Sequence, residues 1–341
     1  MFRRLIILVG FLFLGVFALG YLCFFRTLQL SENKKQSALF QLKGENYPAL
    51  NDQFSTTLSG MSYASVKLLS SLLLDESKIK DGKYDIEEGM TAFQLIRNLR
   101  NGRQSEVKLV ISKSRNYEQF ESKLQQLIHI NSKDLLWVLD SVSTLDSTCR
   151  RLAPQSYLGL IIPETHRLYW NSSSNLLVRK FKAAYSKFWN DERLMKAQKL
   201  GLSRYQVMVL ASIVEEETSY NPDKPKIAAV YYNRFKKGMR LQADPTVIFA
   251  WQDYSIRRVM NKHLVIESPY NTYQNLGFPP APICIPSISS IEAVLTMPST
   301  ADLYFCADPS FNGRHVFSSN YSAHLKNAHA YQAAYNQRFD K

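Results

Sequence analysis

From Leu5 to Phe25 the chain runs "LIILVGFLFLGVFALGYLCFF" without a charge. About 20 such residues, as a helix, cross a hydrocarbon layer of about 30 Å. After this run the pattern turns polar, and residues 26–46 read as a stalk rich in Ser, Asn and Lys. From about Tyr47 a small α/β unit is expected, with its end at residue 106. Within it "SVKLLSSLLL" has helical spacing, "GKYDIEEGMT" is a short extended segment and turn, and "TAFQLIRNLRNG" is a second helix. Thr91 is placed to cap that helix, Phe93, Ile96 and Leu99 share one apolar stripe, and Gly102 ends it. "VKLVIS" is a strand candidate that opens a second domain, residues 107–341. Residues 115–150 and 173–200 are mainly helical, and "LIIPETHRLYW" between them reads as an aromatic, proline-containing turn of the kind that lines clefts.

The next helix carries the most pointed chemistry. Ser203-Arg204-Tyr205-Gln206 fits the capping box S-x-x-Q, and the Asn221-Pro222 step forbids the helix from continuing. The run "LASIVEEETSYNP" therefore puts Glu215, Glu216 and Glu217 in its last turns. At about 100° per residue, Val207, Leu210, Ile213 and Val214 form an apolar stripe, and Glu217 falls inside it. Glu215 and Glu216 fall on its flanks. Burial and the negative end of the helix dipole both disfavour the anion at Glu217, so its pKa is expected to rise, as a proton donor requires. Neutralisation by an arginine, or capping of nearby backbone, is the alternative that these residues alone leave open. Glu216 is expected to be solvated and Glu215 to orient a basic neighbour.

Charge and compartment narrow the partners. With 42 Lys+Arg against 29 Asp+Glu, the formal charge is +13, which suits a nucleic acid, a membrane surface or an acidic envelope polymer. Arg3 and Arg4 precede the apolar run and outnumber Arg26 after it, so the start is expected in the cytoplasm (residues 1–4), the span at 5–25 and the rest outside. That compartment argues against nucleic acid. A cleaved signal peptide, with Ala18-Leu19-Gly20 as its small-residue site, is the competing reading. Four cysteines without a CxxC pattern argue against a disulfide framework or zinc knuckle. His315, His324 and His329 lack metal-ligand spacing, so neither metal nor cofactor is expected.

The stretches "ASIVEEET", "AAVYYNRFKKGMRLQADPTVIF", "SPYNTYQNLGFPPAPICIPS" and "YFCADPSFNGRHVFSSNYSAHLKN" resemble, in order and spacing, the MltG (YceG-like) family of endolytic murein transglycosylases. "GKYDIEEGMTAFQLIRNLRNG" is similar to the family's LysM-like subdomain and "PETHRLYW" to its "PDT" segment. The family's "VxEGxxxxxIA" is replaced here by "LVISKSRNYEQF", which lacks the Glu-Gly pair. The resemblance implies an α+β protein: one transmembrane helix, a LysM-like glycan-binding subdomain (47–106) and a mainly helical catalytic domain with a small β element.

On the family pattern A-S-I-[IV]-E-x-E-T the catalytic acid falls on Glu217, and Glu215 supports the site. The implied reaction cuts the bond between N-acetylmuramic acid and N-acetylglucosamine, with one carboxyl acting first as acid and then as base, and leaves a 1,6-anhydro end. It would act on nascent strands near the membrane and so limit their length, with cell-wall synthases as possible partners. Gln242, Asp244 and Thr246 are candidates to hold sugar hydroxyls and N-acetyl groups, and Arg240 to meet an acidic side chain or substrate carboxylates. A turn or helix-cap role for Asp244 is equally open. By resemblance Tyr270, Asn271, Thr272 and Tyr273 line the cleft, with Asn320 and His324 as further site residues. Two other readings stay open: a lysozyme-like hydrolase using Glu217 with Asp244, and a noncatalytic peptidoglycan-binding scaffold.

Overall fold

The structure, a computed structural model, describes residues 2–31, 36–41, 47–74, 79–87, 89–149 and 153–339. In chain order the elements begin with α1 (Phe2–Phe24), β1 (Gln36–Gln41), α2 (Tyr47–Thr57), α3 (Gly60–Leu73), β2 (Gly82–Glu87), α4 (Ala92–Asn101) and β3 (Glu106–Val110). There follow α5 (Tyr117–Leu127), α6 (Ser132–Ser143), a 3-10 turn (Pro154–Leu160), β4 (Thr165–Tyr169), α7 (Ser174–Phe188), α8 (Asp191–Leu200) and α9 (Arg204–Glu217). A 3-10 turn at Asn221–Asp223 leads to α10 (Lys224–Lys236), α11 (Asp244–Trp251), α12 (Asn261–Leu264), α13 (Ile288–Leu295), β5 (Tyr304–Ala307), β6 (His315–Ser318) and α14 (Tyr321–Phe339). The protein is α+β and mostly helical. The chain divides into two compact units, the first formed mainly by residues up to Lys108 and the second by most of the rest, with the division falling inside β3 and β4.

In the first unit α1 is long and apolar enough, over Ile6–Phe24, to cross a membrane. Its end does not lead into a free stalk. Cys23 and Leu28 are buried in the unit's core, and the Leu28 amide donates to the Met90 carbonyl at 2.7 Å. Strand β1 pairs antiparallel with β2, setting Leu39 opposite Tyr84, both fully buried. The expected stalk thus contains a strand of the unit's own sheet. Its polarity was misleading because a two-stranded ladder needs only its inward positions to be apolar. Helix α4 matches its sequence signals: Thr91 and Gln94 form a reciprocal capping box, and Gly102 ends the helix at φ 65°. Its buried face is Ala92, Leu95, Ile96 and Leu99, with Phe93 at the margin.

The second unit is organised around α9. Tyr205 and every residue from Val207 to Val214 are buried, and α8, α10, α11 and α13 pack around it. The stripe expected on one side is therefore a helix enclosed on nearly all sides. Each large aliphatic side chain so buried contributes about 1.5–3 kcal/mol, so α9 is the axis of this core. The capping box of Ser203 and Gln206 starts it as expected. "THRLY" differs from the expected turn: it is strand β4, with His166 and Leu168 inward and Thr165, Arg167 and Tyr169 outward, a period-two alternation.

Candidate active site

Glu217 is the last residue of α9, and Thr218 turns the chain into an extended conformation. Pro222 lies in the 3-10 turn that follows, and α10 starts at Lys224 with Pro225 in its first turn. One turn apart on α10, Tyr231 and Arg234 face the end of α9, as i, i+3 spacing allows. The Tyr231 hydroxyl donates to Glu217 Oε1, and Phe305 of β5 meets the Tyr231 ring edge-on at 5.7 Å. Gln242 adopts a left-handed backbone (φ 53°), its amide donating to the Thr272 carbonyl, and presents Oε1 to Arg234 Nη1 at 3.2 Å. Asp244 opens α11 and accepts from the Tyr273 hydroxyl at 2.5 Å. His324 of α14 stacks on Tyr304 at 5.2 Å. Glu217, Tyr231, Arg234, Gln242, Asp244, Tyr273, Phe305 and His324 line one cavity of about 270 Å³.

The electrostatics of this cavity favour a protonated acid. Burial pushes the Glu217 carboxyl up to about 7; Asp244 adds to the push, while the Tyr231 hydrogen bond and Arg234 oppose it. Glu217 keeps partial solvent contact through the cavity, so it is walled by protein and still reachable. Burial likewise raises Asp244, and the hydrogen bond from Tyr273 opposes this. His324 is held below its usual range by burial and by Arg234. A larger cavity of about 470 Å³ lies at the other end of α9, but no carboxyl lines it and Ser203 and Gln206 there are spent on the capping box.

The neighbouring glutamates are used differently. Glu215 Oε2 accepts from the Ser287 and Ser290 hydroxyls, each at 2.5 Å, and from buried Lys224 at 3.2 Å. Burial works to raise this carboxyl, but the hydroxyls and the ammonium hold it below the usual range. Glu216 is not the solvated residue expected; it is largely buried and pairs with Lys113 at 2.9 Å.

Other candidates are brought together differently from the sequence expectation. Thr246 and Thr272 are buried and bond to each other at 2.8 Å, and Thr272 also accepts from the Ala243 amide. Asn271 is fully buried, its amide donating to the carbonyls of Leu264 and Ile266. These three residues shape the loop and do not line the cavity; of the expected "YNTY" group only Tyr273 does so. Tyr270 packs on Phe249 at 4.6 Å. Asn320 is exposed and accepts from the Ala323 amide at the start of α14, a capping role. Arg240 is exposed and outside the lining. The arginine at the cavity is Arg234, whose only sequence signal is a cation in the otherwise apolar-faced "AAVYYNRF". Among the described residues no three His, Cys, Asp or Glu side chains gather as a metal set.

Fold and site together define a helix-centred α+β protein whose cavity holds two carboxyls, Glu217 and Asp244, each raised by burial and each hydrogen-bonded by a tyrosine. The YceG-like family model matches residues 43–330, and the chain belongs to that family. It is 42% identical over 144 residues to a Bacillus subtilis protein named endolytic murein transglycosylase, a match covering 42% of this chain and 39% of the relative. A Streptococcus pneumoniae protein of the same name is 29% identical over 196 residues, covering 56% of this chain and 34% of that one. The chain thus spans well under half the length of these relatives. The fold is also similar to a crystal structure of the yceG-like protein lmo1499 from Listeria monocytogenes (TM-score 0.54, 23% identity, 86% of this chain and 99% of that one).

Proposed function

We propose that the chain is a membrane-anchored endolytic transglycosylase of peptidoglycan with Glu217 as its acid and base. The observation that carries this reading is the Glu217 carboxyl, raised to about 7 in a cavity it shares with sugar-binding side-chain types. At neutral pH about half of such a group is protonated, which serves donation and later removal of a proton alike. The protonated Glu217 gives its proton to the glycosidic oxygen, which leaves C1 of the muramoyl residue. The resulting carboxylate takes the proton of the muramoyl 6-hydroxyl as that oxygen closes on C1, leaving a 1,6-anhydro end. Tyr231 orients the carboxyl through Oε1 and leaves Oε2 for the substrate. Supporting the same reading, the relatives are named for this activity.

Helix α1 would hold the enzyme in the cytoplasmic membrane with the residues after it outside the cell or in the periplasm, residues 47–106 acting as a LysM-like glycan-binding subdomain. Cutting nascent strands beside their synthases would limit strand length. Because Asp244 lines the same cavity, hydrolysis with a second carboxylate is the competing reading. Mass spectrometry of muropeptides released from purified peptidoglycan by the protein and by Glu217→Gln decides between them. Anhydro ends made only by the unmodified protein are expected; reducing ends would mean hydrolysis, and no cleavage by either protein would favour a scaffold.

A further inference from the structure

Arg234 is buried, and among the described residues it forms no ion pair with a carboxylate. Its Nε donates to the Leu303 carbonyl at 2.6 Å, and Nη1 to the Leu241 carbonyl at 2.7 Å and to Gln242 Oε1 at 3.2 Å. Among the described residues Nη2 has no acceptor. A guanidinium taken from water without an anion is strongly disfavoured, and neutral oxygens offset only part of the loss. Glu217 and Asp244 face the same cavity and Glu217 feels the guanidinium, but each takes a tyrosine hydrogen bond and neither pairs with Arg234, whose face is covered by the Tyr304 ring at 5.1 Å. A cation fixed by three hydrogen bonds and left with a free donor edge in a cavity is a preorganised receptor for an acidic oxygen.

We propose that Arg234 binds a carboxylate of the muramoyl arm and so sets which strands the cavity accepts. This rests on the peptidoglycan reading above. Two sources carry the chemistry: the lactyl carboxylate of muramic acid where no peptide is attached, and the carboxylates of the stem peptide. The cavity of about 270 Å³ at Arg234 meets the lactyl group first, and on nascent strands, where that group is amide-linked to the peptide, the stem-peptide carboxylates are the source that remains.

Removing Arg234 would also remove the anchors of Leu241 and Leu303, so the informative variant is Gln242→Glu. Its new carboxylate stands where Oε1 already meets the guanidinium, and would occupy it in place of the ligand. The experiment measures binding, independent of turnover, on the full-length protein in detergent with Glu217→Gln as background. The probes are N-acetylmuramic acid, its methyl ester, and a muramoyl dipeptide ending in the diamide of glutamic acid, which leaves no free carboxylate on the lactyl arm. N-acetylmuramic acid is expected to bind at least about tenfold more tightly than its ester, and Gln242→Glu to abolish that preference. Tighter binding of a peptide ending in free glutamate than of N-acetylmuramic acid would assign the carboxylate to the stem peptide and keep Arg234 as receptor. Equal binding of acid and ester, or a preference unchanged in Gln242→Glu, would overturn the proposal. Absence of strand cleavage by the unmodified protein would instead overturn the transglycosylase reading and leave this result interpretable.

Discussion

Glu217→Gln tests the raised acid through stability as well as activity. The folded protein moves this carboxyl from an ordinary 4.5 to about 7. At about 1.4 kcal/mol per pH unit, ionised Glu217 therefore destabilises the native state by about 3 kcal/mol, an upper figure because the cavity admits some solvent. Between those two pH values the native state binds more protons than the unfolded one, so stability falls as pH rises through the window. Glutamine keeps the oxygen that Tyr231 bonds but does not titrate. The variant should match the unmodified protein near pH 4.5 and exceed it by up to about 3 kcal/mol at pH 8. Urea unfolding of the full chain in detergent, followed by the second unit's buried Trp189, reads this difference. A constant offset from pH 5 to pH 8, or a variant less stable at pH 8, would refute the reasoning.

Three further outcomes follow from the same contacts. In Tyr231→Phe the donor that lowers Glu217 is gone, so the alkaline limb of kcat/KM should move above about 7; a limb left in place would show that Tyr231 does not tune the acid. Glu215→Gln leaves Lys224 buried without its carboxylate and should cost about 3 kcal/mol of unfolding free energy. In the unmodified protein that contribution should be lost as pH falls through the depressed Glu215 value, and a stability curve flat below pH 4 would contradict it. Asn271→Ala removes two donors to backbone carbonyls and the acceptor for the Tyr273 amide, about 3 kcal/mol in all. The midpoint of thermal unfolding checks this; an unchanged midpoint would return Asn271 to the list of substrate contacts.

Local rules made much of this structure legible. The capping boxes at Thr91 and Ser203, the stop at Gly102 and the end of α9 before Asn221-Pro222 depend on residues within four positions of each other. Its place on a helix singled out Glu217, and that carboxyl lies at the cavity, although the expected stripe is a core surrounding the helix. What escaped was long range. Strand β1 is defined by β2, more than 40 residues later, and its own composition is polar. Asn271, Thr272 and Thr246 have the hydrogen-bonding groups of sugar contacts, but those groups are consumed by backbone that returns from elsewhere in the chain. Locally Arg234 differs from Arg240 only in its place in the apolar-faced "AAVYYNRF", a signal too slight to show that its charge is buried. That distinction is made by Leu241 and Leu303, whose carbonyls hold Arg234.

The three glutamates also show what sets a carboxyl's chemistry here. All three stand in the last turn of α9, so the negative end of the helix dipole acts on each of them with similar force. Their fates nonetheless diverge: Glu215 is depressed and Glu217 raised. The dipole therefore cannot be what selects the acid. Glu215 is met by two hydroxyls and an ammonium, Glu216 by the ammonium of Lys113, and Glu217 by one tyrosine hydroxyl. Burial raises a carboxyl unless donors offset it: at Glu215 they do, and at Glu217 they are too few. The acid is thus selected by the sparseness of its partners, and a buried cation lies close enough to temper the shift without pairing with it.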